Sequence, residues 1–285
     1  MTPDPAVAAR AAAARAGVSV RALHSHEDLT GARGIWDLTW PSVAEGTQVT
    51  PNLLRAVEHS GGYVAGAFDE GRMVGAALAL VGRHRGGGGW HDHLHSHMAA
   101  AVPGRSDRGI GTALKLHQRS WALEQDIATI EWTFDPLVRR NARLNLVKLG
   151  AVGVQYLPDF YGDMPDEVNH GDPSDRLLVR WELDSRRVDD AVDGRTATVS
   201  REHLLAAGAV RGLAADRNGV PAPTGESGRV TLVTAPGDIV ALRRGDPEAA
   251  STWRLAVRVV LAPLVDAGAA VTGLTVEGDY VVEAR

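Results

Sequence analysis

The sequence predicts an α/β protein, and three observations carry that expectation. Apolar residues alternate at strand period in some segments and recur at helical period in others. A hairpin pattern, GYVAGAFDEGRMVGAALALVG, occupies 62–82. A strand pattern ending near Val102 runs through a glycine-bearing loop into a helix pattern that opens at Gly109. Together these imply a mixed sheet flanked by helices.

Each element follows in order. DPAVAARAAAARAG (4–17) reads as a short surface helix, with Asp4 as N-cap, Pro5 in the first turn and Gly17 as the stop. VSVRAL (18–23) alternates as a strand, and 26–40 has helical spacing that presents Leu29, Ile35, Trp36 and Leu38. Thr50 caps a helix whose first residue is Pro51. The hairpin turns at Glu70-Gly71, RHRGGGG (83–89) reads as a loop, and 90–102 as a strand. Helix 109–125, strand 127–134, helix 137–149, a short strand at 152–156, an irregular loop and strand 177–183 follow.

After Asp184 the texture changes. DSRRVDDAVDGR looks like a charged connector and RNGVPAPTGESG (217–228) like a mobile loop. A strand (RVTLVT), a helix opening at Asp246-Pro247 that Pro263 should kink or end, and a hairpin at Glu277-Gly278 complete the chain. The expected organisation is an N-terminal helix (1–17), a main domain (18–185) and a C-terminal α/β extension (186–285) that prolongs the sheet or builds a homodimer interface.

The 285 residues suit one large domain or a domain with a smaller companion. A net charge of −5 and a pI near 6.1 give no electrostatic reason to expect nucleic acid, so small molecules or proteins are the expected partners. The absence of cysteine excludes disulfides, a thiolate nucleophile and Cys-ligated zinc. No run of 18 apolar residues suggests a membrane span, and the N-terminus lacks a secretion pattern, so a cytoplasmic location is expected.

HMAAAVPGRSDRGIGTALKLHQR (97–119) passes from strand to helix through Arg108-Gly109-Ile110-Gly111-Thr112. Glycines there let backbone N–H groups approach a phosphate, and the helix start adds unpaired donors and a favourable dipole. No G-x-G-x-x-G occurs, so this is not a dinucleotide fingerprint.

The element order over 18–184, and the spacing from AVP at Ala101 to G-I-G at Gly111, resemble the GNAT superfamily of acyl-CoA N-acyltransferases. WTFDPLVRRNARLNLVKLGA, with FYGDM and DRLLVRW, is similar to a subgroup associated with N-acylamino-acid metabolism. The resemblance implies a splayed sheet and transfer of an acetyl, succinyl or similar group from acyl-CoA to a primary amine, with the amine of an amino acid or related small molecule as acceptor. It implies cofactor contacts from Ala101, Val102, Arg108, Gly109, Ile110, Gly111, Thr112, Asn141 and Asn145, and no metal. Two positions depart from the family pattern. Ser106 and Asp107 stand where relatives carry Arg or Gln and glycine, leaving Arg105 and Arg108 to supply charge, and Leu146 stands where many keep a tyrosine general acid.

HDHLHSH (91–97) places His91, His93, His95 and His97 on one strand face. They are structural residues, acceptor-site bases or the start of a metal site. His95 and His97, nearest the splay, are the candidate bases. Glu131, Thr133 and Asp135 share one face of the next strand, with Trp132 and Phe134 on the other. Glu131 and Asp135 are candidate catalytic carboxylates and Trp132 a substrate contact, although Asp135-Pro136 also fits a helix cap. Tyr156 and Tyr161 are candidate replacements for the missing tyrosine, and Arg176 a candidate carboxylate binder. Two other classes stay open: a metal-dependent enzyme on the histidine strand, and a non-catalytic acyl-CoA-binding protein.

Overall fold

The computed structural model describes residues 4–41, 49–86, 89–105, 108–162 and 172–284. The described chain divides into two compact units, one of residues 4–132 and 182–185, the other of 133–162, 172–181 and 186–284. This division falls at 132/133, inside the segment expected to form one domain, and not at 185/186.

In the first unit, helix α1 (Pro5–Ala16) is capped by the Asp4 carboxylate, which accepts from the Ala6 N–H at 2.9 Å, and is closed by Gly17 in the left-handed conformation. It is more than a surface helix: Ala9, Ala12 and Ala13 are buried, and α1 packs on α4 (Ile110–Glu124). Strand β1 (Ser19–Ala22) leads to α2 (His26–Thr39), and α3 (Pro51–His59) begins where the Thr50 hydroxyl accepts from Leu53. Leu29, Ile35 and Trp36 of α2 enter the core as expected, but Leu38 is 61% exposed, because it lies about 200° round the helix from Trp36.

Strands β2 (Tyr63–Asp69), β3 (Arg72–Gly86), β4 (Gly89–Ala101) and β5 (Thr129–Phe134) follow. The turn at Glu70-Gly71 has positive φ at both residues, the form that matches strand twist. The order is β1-β2-β3-β4-β5, antiparallel except for β4 with β5. Of the expected loop at 83–89, residues 83–86 and 89 belong instead to a long hairpin, paired through Arg83↔Asp92, His84↔His91 and Gly86↔Gly89, and 87–88 lie outside the described residues. The Arg83–Asp92 ion pair, at 2.6 Å, bridges it.

β4 carries one irregularity. Ala79 pairs with Ser96 and Leu78 with Met98, so His97 is an extra residue in a β-bulge. Upstream, Ser96 faces α4; downstream, Met98 and Ala100 join the core formed by Leu29, Trp36, Leu54 and Leu78 under α2 and α3. Each fully buried Leu there contributes about 1.5–3 kcal/mol.

In the second unit, helix α5 (Arg139–Ala142) continues into a wider turn, Arg143–Lys148, where Leu149 N–H reaches the Leu144 carbonyl. Strands β6 (Val152–Leu157) and β7 (Arg176–Glu182) are antiparallel. The expected connector forms α6 (Arg186–Val192), burying Val188 and Ala191. Helix α7 (Arg201–Ala206), strands β8 (Val210–Ala215), β9 (Pro221–Pro223) and β10 (Val230–Thr234), helices α8 (Ile239–Gly245) and α9 (Pro247–Asp266), and strands β11 (Ala270–Leu274) and β12 (Asp279–Glu283) complete it. The strand order is β7-β6-β11-β12-β10-β8-β9. The segment expected as a loop at 217–228 turns on the Asp216 carboxylate and forms β9, an edge strand where prolines cost no ladder bond. Pro263 does not end α9. The carbonyl it leaves without an N–H is that of Val259, on a 59% exposed residue that water reaches.

Candidate active site

Among the described residues, the parallel pairing of β4 with β5 is confined to Leu94↔Ile130 and His95↔Glu131. β4 stays with β3 as far as Gly75↔Ala101, so beyond His95 its other edge lies open. That open edge is the expected splay, and its polar backbone groups need partners. Val102 is a correction: its N–H goes to Val74 O at 2.9 Å and its carbonyl accepts from Arg105 N–H at 3.1 Å. Alternation along the strand then leaves Ala101 to present its N–H and C=O to the open edge.

α4 starts with Gly109 at φ +84 and no side-chain cap, so the N–H groups of Ile110, Gly111 and Thr112 have no intrahelical partner. The Ile110 side chain is buried against Gly75, which restricts its contribution to the backbone. Arg108 is exposed, whereas Arg105 is held by Asp69. Ser106 and Asp107 lie outside the described residues.

The root of the fork has two chemically different faces. On one, His95 pairs beside buried Glu131, the His95 and His97 ring centroids are 6.1 Å apart, and His93 Nε2 lies 3.9 Å from Glu131 Oε2. His93 rests over Gly82, where a Cβ would meet its ring at 2.6 Å. Desolvation lowers the His95 pKa, His97, His93 and Lys115 add to the effect, and Glu131 opposes it; desolvation also lowers His97. Both imidazoles are therefore neutral, proton-accepting groups at pH 7.

The other face holds a group that the strand and loop motifs did not reveal. Lys115 of α4 is buried, with Nζ 2.7 Å from Ser96 Oγ, 3.4 Å from Gln118 Oε1 and 3.7 Å from the centre of the Trp132 ring. Desolvation lowers its pKa to about 7. The clue was the stripe Gly111, Lys115, Gln118, Ala122 on α4, where a helical face turned to the core carries a lysine. Trp132, expected as a substrate contact, gives a ring face to this ammonium.

In the second unit, Asp135 is buried and bonded by Arg254 at 2.7 and 2.9 Å and by Arg243 at 2.6 Å, while Asp172 meets the same two guanidiniums. Although burial opposes ionisation, the arginines prevail and hold Asp135 at about 2. It also caps Leu137 N–H. This carboxylate is an anchor and too weak a base for an ammonium substrate. Tyr156 is corrected likewise: it is buried and donates to Asp175 at 2.7 Å, and desolvation together with that anion pushes its pKa above the usual range. Tyr161 is 41% exposed, its hydroxyl 3.3 Å from Thr133 Oγ1, and the Arg176 guanidinium lies 5.4 Å from its ring centre. Arg176, Asn145 and Leu146 are buried; the Asn145 carbonyl accepts from Ala151, and Asn141 is half-buried.

Among the described residues, no group of three or more His, Asp or Glu side chains is placed to hold a metal ion. No described helix is long and apolar enough to cross a membrane. No family model matches the chain, and no curated protein matches it. Among solved structures, it is similar to Chaetomium thermophilum Naa20 in complex with a bisubstrate analogue (18% identity over 58% of this chain and 86% of that one, TM-score 0.45). It is also similar to the Escherichia coli ribosomal-protein-S18-alanine N-acetyltransferase (15% identity, 59% and 95%, TM-score 0.44). A Streptococcus pneumoniae acetyltransferase of the GNAT family is a third such likeness (12% identity, 57% and 97%, TM-score 0.44).

Proposed function

We propose that the protein is an acyl-CoA-dependent N-acyltransferase that moves an acetyl, succinyl or similar group to the primary amine of a small molecule, with an amino acid as the expected acceptor. The observation that supports this most is the fork: a parallel strand pair that opens after two residue pairs beside a helix start with uncapped N–H donors. Such a helix start suits a pyrophosphate, and the open edge of β4 suits an extended amide-bearing arm. Arg108, Gly109, Ile110, Gly111 and Thr112 would hold the phosphates, and Ala101 the arm.

The acceptor amine would approach the imidazole face. His95, with Glu131 beside it, takes the ammonium proton, and His97 is the second candidate base. Attack in a ternary complex needs no covalent enzyme intermediate, and positioning supplies much of the rate. Arg176, with the Tyr161 ring, is the candidate contact for an acceptor or acyl carboxylate.

Calorimetric titration with CoA, acetyl-CoA and succinyl-CoA tests the reading. Binding at micromolar or lower Kd, weakened at least tenfold by Gly111→Trp, supports the 108–112 loop as the phosphate site, and a preference among thioesters names the donor. Absence of binding to all three overturns it.

A further inference from the structure

The buried ammonium on the other side of the fork has a use. Below His95 and Glu131 the strands are paired, so a molecule lying along the open edge of β4 from Ala101 stops at Ser96 and Trp132. Its reactive end then sits between two faces. One carries imidazoles and a carboxylate, which accept protons; the other carries the Lys115–Ser96 hydrogen bond, a donor side chain linked to a hydroxyl on the strand itself. Lys115 also touches the Gln118 carbonyl oxygen and the Trp132 ring, and among the described residues no carboxylate lies within ion-pair distance of it.

We propose that Lys115 is the proton source for the departing thiolate and that the Ser96 hydroxyl relays the proton. This assignment rests on the acyltransferase reading above. The amine, whose ammonium proton His95 has taken, forms its bond from nitrogen to the thioester carbon, and the nitrogen of the adduct gives its second proton to solvent. The C–S bond breaks with its electron pair on sulfur, Ser96 passes its proton to sulfur, and Lys115 replaces that proton on Ser96. Between turnovers the neutral amine of Lys115 is reprotonated from solvent and His95 releases its proton to solvent, so donor, relay, base and product balance.

The test compares Lys115→Met, Ser96→Ala and Tyr161→Phe with the wild-type protein. Acetyl-CoA binding is measured by calorimetry, and kcat is measured against pH with an amine acceptor. The expected result for Lys115→Met is acetyl-CoA affinity within about twofold of wild type, kcat reduced about 100-fold or more, and loss of the alkaline limb of the pH profile. Ser96→Ala lowers kcat in the same direction with Lys115 in place, and serves alone if Lys115→Met fails to fold. Wild-type kcat and an unchanged alkaline limb in Ser96→Ala overturn the relay, as they do for a folded Lys115→Met, and a large loss in Tyr161→Phe instead moves the role to that phenol. If wild type binds no acyl-CoA, the acyltransferase reading itself fails; if it binds and turns over while both variants match it, only the proton assignment fails.

Discussion

The two units bury positive charge in opposite ways. In the second, Arg254 is 1% exposed and is met by two carboxylates, Asp135 and Asp172, which Arg243 also holds. Desolvation would lower the Arg254 pKa, but hydrogen bonds and attraction to both aspartates raise it. In the first, Lys115 is 6% exposed and among the described residues meets a hydroxyl, an amide oxygen and an aromatic face, so desolvation prevails and brings its pKa to about 7. A buried cation with full ionic partners is locked in one protonation state and ties elements together. One with neutral partners is poised to change state, which is the property that proton transfer requires.

The sharpest way to break this contrast is Arg254→Met, which leaves two aspartates with one guanidinium between them. It should destabilise the fold by about 3–5 kcal/mol, read by urea unfolding at pH 7. A loss under about 1 kcal/mol would mean the network is dispensable.

Stability against pH separates the two units next. Lys115 has a folded pKa near 7 and an unfolded value near 10.5, so between those values the unfolded chain binds the extra proton and stability rises with pH. The slope from this residue is about 1.4 kcal/mol per pH unit, and Lys115→Met should flatten it. Asp135 acts at the other end: its folded pKa of about 2 lies below 3.8, so its contribution is present above pH 4 and disappears as pH falls toward 2. Urea midpoints across pH 2–10 for wild type, Lys115→Met and Asp135→Asn test both windows; equal slopes in wild type and Lys115→Met above pH 7 would contradict the Lys115 assignment.

Smaller effects test the supporting frame. Gly109→Ala places a Cβ at φ +84 and should cost about 1–2 kcal/mol, with a weaker calorimetric signal for CoA. Asp4→Ala removes the α1 cap at a cost of about 1 kcal/mol, seen as a lower thermal midpoint.

Much of the frame was legible in the chain. Asp4-Pro5, Thr50-Pro51 and Asp246-Pro247 mark helix starts with local chemistry, and the structure has helices there. Glu70-Gly71 and Glu277-Gly278 mark turns in the same way. What escaped depends on residues far apart in sequence. The run 83–89 read as a loop, yet cross-strand partners carry the hairpin as far as Gly86↔Gly89. The charged run after Asp184 read as a connector because only Val188 and Ala191 disclose its packed side. Of the candidate site, the strand histidines and the helix start could be picked out because their spacing is local. Asp135 and Tyr156 read as reactive because nothing nearby announces Arg254 or Asp175, 119 and 19 residues away. Lys115 was hidden for the converse reason: a lysine on a helix reads as solvated until Ser96 and Trp132 are seen to close over it.

The bulge at His97 makes β4 editable at one place. Each earlier residue of the strand fixes which side its successors face, so removing one of those would turn Met98 and Ala100 out of the core. Excising His97 alone would leave Ser96 opposite Ala79 and Met98 opposite Leu78, as they already stand. The His97 imidazole therefore stands outside the strand's alternation, and the sheet around it does not depend on its presence.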